Sequence, residues 1–265
     1  MLFRSLAKNA RARRNAGLVA TQAQALFQLG QFGEAEAAFR QAQRLDSANP
    51  QIMIGVATAL AMQTRFDEAR QLLERVVARF PQLPYAWYNL ANVLRDLARH
   101  TPAIDAYRKA LALAPDFLDA RNGLGRTLHA AMRFDEAARE YEQCIREAPD
   151  FIDAHLNLAS VLIDCGDNVR ADSVCRALLA LVADAPPALQ AQAHALLADT
   201  CNTAGRMAES ARHYAEAARL APDNMDFAVS YAAKLCETGE FAAALDIIVR
   251  VKAAAPDSTK LHRFL

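Results

Sequence analysis

Apolar positions along this chain fall in short stripes of helical period, interrupted at regular intervals by Pro-Asp turns. From Pro84, the run YAWYNLANVLRDLA places Trp87, Leu90, Ala91 and Leu94 at i, i+3, i+4 and i+7, one face of an α-helix. The following run, TPAIDAYRKALALA, aligns Ala103, Tyr107, Ala110 and Leu111 on a second stripe. Thr101 is its candidate N-cap, with Pro102 at the first helical position, where no N–H is needed. Pro115 then stops the second helix and Asp116 favours the turn. The predicted unit is helix–turn–helix–turn, and it recurs. Ala-Pro-Asp-Phe at 114–117 returns 34 residues later at 148–151, and Ala-Pro-Asp at 221–223 returns 34 residues later at 255–257. A fixed period of this size describes an all-α array of one small unit rather than a single globule.

Alignment on this copy gives seven units: 16–49, 50–83, 84–117, 118–151, 152–185, 191–224 and 225–258. Unit position 8 holds Ala23, Ala57, Ala91, Gly125, Ala159, Ala198 and Ala232; position 20 holds Ala35, Ala69, Ala103, Ala137, Ala171, Ser210 and Ala244. Small residues throughout at two places predict points where paired helices approach so closely that only a methyl or less fits. Position 24 is large in most units (Phe39, Leu73, Tyr107, Tyr141, Tyr214 and Ile248), which suits interdigitated packing. Five extra residues, 186–190, separate units five and six and predict a lengthened turn or an extra helical turn begun by Pro186 and Pro187.

Trp87, Leu90, Ala91, Leu94, Ala103, Tyr107 and Pro115 occupy, in order, the signature places of the tetratricopeptide repeat, which this pattern resembles over residues 16–258. The array is similar to bacterial-type arrays and to those that precede protein O-GlcNAc transferases. The resemblance implies a right-handed superhelical α-solenoid whose first helices line a concave groove and bind a protein or peptide partner. It points inward at Tyr85, Tyr88, Asn89, Asn92 and Arg95 in unit three, Asn122, Arg126 and His129 in unit four, and Asn157 and Ser160 in unit five. Tyr and Arg are common interface anchors, and Asn amides can pair with a peptide backbone without reading its sequence. Two subtypes fit poorly. A clamp for chaperone C-terminal carboxylates would need basic residues where Tyr88, Asp153 and Asn157 stand. The Asn ladder of the transferase arrays is matched at Asn89 and Asn157 but not at Gly55, Gly123, Leu196 or Ser230.

Composition narrows the function further. Formal net charge is zero, which offers no general attraction to nucleic acid. Residues 1–15 are a basic N-terminal segment, with Arg4, Lys8, Arg11, Arg13 and Arg14 and no acid, read as a solvated helix leading into unit one. The longest apolar stretch, Ile52 to Met62, is well short of the roughly 20 residues a membrane span requires. Five cysteines without a Cys-x-x-Cys pair favour a reducing, cytoplasmic compartment. The dispersed histidines offer no metal site, and no nucleotide loop or catalytic motif is present, so neither a cofactor nor an enzymatic activity is expected. The expectation is therefore an interaction scaffold. The alternative is the substrate-recruiting arm of a larger enzyme such as a glycosyltransferase or sulfotransferase. It is motivated by residues 259–265, TKLHRFL, which fit the start of an eighth helix and offer a route to self-association. The alignment itself is testable: Ala91→Leu should overpack its helix pair and cost about 1–3 kcal/mol in denaturant unfolding, whereas Ala112→Leu, predicted outward, should cost little.

Overall fold

A computed structural model describes residues 2–254, with α-helices α1 Leu2–Gln28, α2 Phe32–Leu45, α3 Pro50–Met62, α4 Phe66–Arg79, α5 Pro84–Asp96, α6 His100–Leu113 and α7 Leu118–Ala130, followed by α8 Phe134–Glu147, α9 Ile152–Asp164, α10 Asn168–Leu181, α11 Pro187–Thr203, α12 Met207–Leu220, α13 Met225–Glu237 and α14 Phe241–Ala254. No strand occurs among the described residues. The segment 259–265 lies outside them. The chain is an all-α solenoid of helical hairpins. It divides into two units, Met1–Ala131 and Met132–Leu265. In the first, α1/α2, α3/α4 and α5/α6 pair as hairpins, and first helices α3, α5 and α7 touch in series. In the second, α8 precedes the hairpins α9/α10, α11/α12 and α13/α14.

The small residues at positions 8 and 20 are all buried, Gly125 included, and Ala244 is the least buried of the alanines at 1%. Their contact is explicit in α11/α12, where Ser210 Oγ donates to the Ala198 carbonyl at 2.8 Å. Close approach of backbones at these points brings larger residues on either side into one packed layer.

The turn between paired helices is equally uniform. Unit position 15 takes positive φ in each unit: Gly30, Gly166, Gly205 and Gly239 at 76–86°, and Thr64, Ala98 and Met132 at 55–61°. Around it the first helix closes in a Schellman motif. Ala98 N–H donates to Arg95 O at 2.8 Å and Arg99 N–H to Leu94 O at 2.8 Å, and the same pair of bonds surrounds Gly30 and Gly166. The next residue is already the N-cap of the second helix, which overturns one expectation. Arg99, not Thr101, caps α6, and no side chain assists it, so Thr101 and Pro102 fall inside the first turn. Backbone closure leaves no room for a side-chain cap further on.

A second regularity fixes the Pro turn between hairpins. Trp87 Nε1, Arg121 Nη2 and His155 Nε2 each donate to the carbonyl of the proline six residues earlier, Pro81, Pro115 and Pro149, at 2.8, 2.6 and 2.9 Å. These carbonyls have no intrahelical partner, and unit position 4 supplies one. The extra residues before α11 form the helical turn begun at Pro187, and Gln190 ties it back to the carbonyls of Ala183 and Ala185. The basic N-terminal segment and the first helix of unit one share the unbroken helix α1.

Successive second helices are joined by charge. In the first unit the buried Glu36 receives Arg40, Gln63 and Arg65 at 2.7–2.9 Å. In the second, Asp172 and Glu209 alternate with Arg176 and Arg206 across the α10–α12 junction. Hydrogen bonds from Arg176 and then Arg206 outweigh partial burial and hold the Asp172 carboxyl below its ordinary 3.8. A lowered native value adds stability above the unfolded value and loses it as pH falls through the native one. Two outcomes follow. Ala98→Gly relieves a left-handed cost of about 1–2 kcal/mol against a glycine entropy cost of about 0.5–1, and should raise stability by up to about 1.5 kcal/mol in urea unfolding. Asp172→Asn should destabilise by about 0.5 kcal/mol near neutral pH, a gap that closes when unfolding is repeated at a pH below the native value.

Candidate functional site

Helix α5 carries the densest cluster of the nominated residues. Tyr85, Tyr88, Asn89, Asn92, Arg95 and Asp96 follow one another at helical spacing and so share a face. Phe117, the N-cap of α7 placed by the Pro115–Asp116 turn, lies against both tyrosines: ring centroids are 4.8 Å from Tyr85 and 4.9 Å from Tyr88. Tyr88 stands 6.2 Å from Tyr107. Tyr85 remains 61% exposed and Tyr107 is fully buried, so an aromatic run leads from the surface into the core. At its inner end Tyr107 fills the room left by Gly123, where an added Cβ would stand 2.7 Å from the ring.

The polar residues beside this run are partly committed within the protein. The Tyr107 hydroxyl donates to Asn92 Oδ1 at 2.5 Å, and Arg95 Nη1 donates to the same hydroxyl at 3.2 Å and to Asn92 at 3.3 Å. Burial pushes the Tyr107 hydroxyl up to about 12, so it stays a neutral donor. Arg95 also pairs with Asp96 at 2.9 Å. Asn89 donates to the Tyr85 carbonyl at 2.7 Å and accepts from Thr58 at 3.4 Å. Asn92 is therefore a support that orients Arg95 and Tyr107, while Asn89 keeps one N–H of its amide uncommitted to these bonds. On α7, Asn122 is buried, His129 half-buried and Arg126 exposed. Asn157 and Ser160 are half-buried on α9, in the second unit.

The second unit repeats one part of this chemistry. The Tyr214 hydroxyl donates to Asp199, 15 residues earlier, as Tyr107 does to Asn92. Burial raises the Asp199 carboxyl above its ordinary value despite that bond. Lys234 Nζ reaches Asn202 and Glu237, each at 2.7 Å. Two sequence signals mark these contacts: a polar residue 15 before a tyrosine, and a glycine 16 after an aromatic residue, as in Phe39–Gly55 and Tyr107–Gly123. Neither enters a reading based on single unit positions.

The tetratricopeptide repeat pattern matches residues 20–84, 84–117, 128–199 and 203–265. The chain belongs to the tetratricopeptide repeat family. Solved tetratricopeptide repeat proteins share its fold. One, a thermophilic protein of Thermus thermophilus, is 26% identical, with 71% of this chain and 100% of that one covered and a TM-score of 0.54. PilW, a widely conserved type IV pilus biogenesis factor, is 20% identical over 82% of this chain and 99% of its own, with a TM-score of 0.70. YrrB, whose structure shows an unusual peptide-binding site, is 17% identical over 72% of this chain and 96% of its own, with a TM-score of 0.54. Among curated proteins, no sequence matches it. In this tetratricopeptide repeat protein no described helix is long and apolar enough to cross a membrane. Among the described residues no group of three His, Cys, Asp or Glu is placed to hold a metal ion.

Proposed function

We propose that this tetratricopeptide repeat protein is a non-catalytic, cytoplasmic scaffold whose first-helix face in the first unit binds a peptide segment or helix of a partner protein. The observation that carries this reading is the platform of Tyr85, Tyr88 and Phe117. It combines stacked rings, 61% exposure at Tyr85, and a guanidinium held in place beside it by Tyr107 and Asp96. Rigid aromatic groups bury area at small rotamer cost, and Arg supplies several donors in a fixed fork. The exposed Arg126 on α7 adds a second cation to the same helix layer. Membership of the family and the peptide-binding site of the fold neighbour YrrB favour the same class of function.

The reading is tested by affinity capture from the native cell lysate with quantitative mass spectrometry. Tyr85→Ala, Tyr88→Ala and Arg126→Ala are combined in one variant, whose helicity is checked by circular dichroism. Truncating two aromatic anchors and an arginine removes about 3–6 kcal/mol of binding if each counts as an interface hot spot, so the specific partners should be lost more than tenfold. A folded variant with unchanged capture would place the binding face elsewhere.

A further inference from the structure

A cavity opens in the first-helix layer of the first unit, beside Gly55. At unit position 6 most first helices carry a side chain, such as Asn89 on α5 or Leu196 on α11. At Gly123 the room is taken by Tyr107, itself flanked by Tyr88. At Gly55 on α3 the room is likewise taken by the buried Phe39, from whose ring a Cβ would stand 2.5 Å. A cavity of about 180 Å³ lies over that spot. Its floor and walls are Phe39, Phe27, Ile54 and Gly55. Phe27 is braced edge-on by Phe32 at 5.2 Å. The rim is formed by Gln24, Gln51, Thr58 and Asn89. No charged residue lines it. For scale, an apolar protein cavity of about 150 Å³ accepts a benzene ring.

We propose that this cavity is an anchor pocket that takes one apolar side chain of leucine, methionine or phenylalanine size from an uncharged stretch of an extended partner segment. The inference rests on the peptide-binding reading above and specifies its partner. An apolar floor rejects a charged or small polar side chain, since the former would lose its hydration without a counter-charge and the latter would leave the floor wet. A rim of neutral amides and one hydroxyl offers donors and acceptors to main-chain groups on either side of the anchor. The uncharged lining matches an uncharged segment. Asn89 belongs both to this rim and to the α5 face that carries Tyr85 and Tyr88, so the two sites are continuous. Neighbouring helix axes lie about 8–10 Å apart, which is about three extended residues. A partner would therefore place its apolar anchor in the pocket and, about three residues on, a group suited to the aromatic platform.

The test is a titration of the whole isotope-labelled chain, followed by amide resonances, with N-acetyl-leucinamide and N-acetyl-methioninamide as side-chain probes. N-acetyl-serinamide and N-acetyl-lysinamide are the controls. The expected result is saturable shifts at the amides of Ile54, Gly55 and Thr58 with the apolar probes, at least tenfold weaker with the controls. Thr58→Leu, which crowds the mouth, should weaken the leucinamide response at least tenfold. No saturable shift at these amides, or an equal response to lysinamide, overturns the proposal. If Thr58→Leu does not fold, the selectivity of the unmodified protein decides. The probe does not require Tyr85 or Tyr88. The Tyr85→Ala, Tyr88→Ala variant should therefore keep the leucinamide response, and loss of the pocket is separable from loss of the peptide face.

Discussion

The close approach of two helix backbones, permitted only by small residues at unit positions 8 and 20, is the constraint from which the other features descend. Within α11/α12 that approach is near enough for Ser210 to donate to the backbone of Ala198. Once the backbones meet, flanking side chains must interdigitate, and the aromatic residue at position 24 is driven toward the first helix of the next hairpin. There Phe39 and Tyr107 find a glycine, Gly55 and Gly123, and Tyr214 finds the Ser230 hydroxyl. The exposed face of the first helices is the reverse side of this packing. What a partner would touch on α5 is set by what lies beneath it: Tyr107 holds Asn92 and Arg95 from below.

The turn adds a second constraint, independent of side-chain packing. Position 15 adopts a left-handed conformation whether glycine, threonine, alanine or methionine occupies it. The hairpin geometry therefore dominates local preference, and three units carry backbone strain that the others avoid. The charged junctions act on a third scale. Glu36 is nearly buried and needs its two arginines and Gln63, whereas the Asp172–Arg176–Glu209–Arg206 chain is partly solvated and contributes less per pair.

The fold was legible because each hairpin repeats the same packing problem, and a period of 34 residues averages over local exceptions. Trp87, Ala91, Ala103, Tyr107 and Pro115 suffice to place α5 and α6. The cap of α6 falls at Arg99 rather than Thr101 because the backbone-closed turn at Ala98 sets where the second helix begins. The face of α5 was legible from helical spacing. The internal commitments of Asn92 and Asn89 were not, since they depend on side chains 15 and 31 residues away. The Gly55 cavity was hidden for the same reason: a glycine inside a helix reads as a weak position until the ring beneath it is known.

The pairing of aromatic and small residues between consecutive hairpins also bears on how such a chain can change over generations. Units of equal length look interchangeable, yet Phe39 packs on what α3 offers at Gly55, whereas α5 carries Asn89 at that place. Deleting or transposing one repeat would preserve the period while bringing mismatched surfaces together. The order of hairpins is thus part of the sequence's structural information, and the array is a string of specific neighbours rather than a set of equivalent beads.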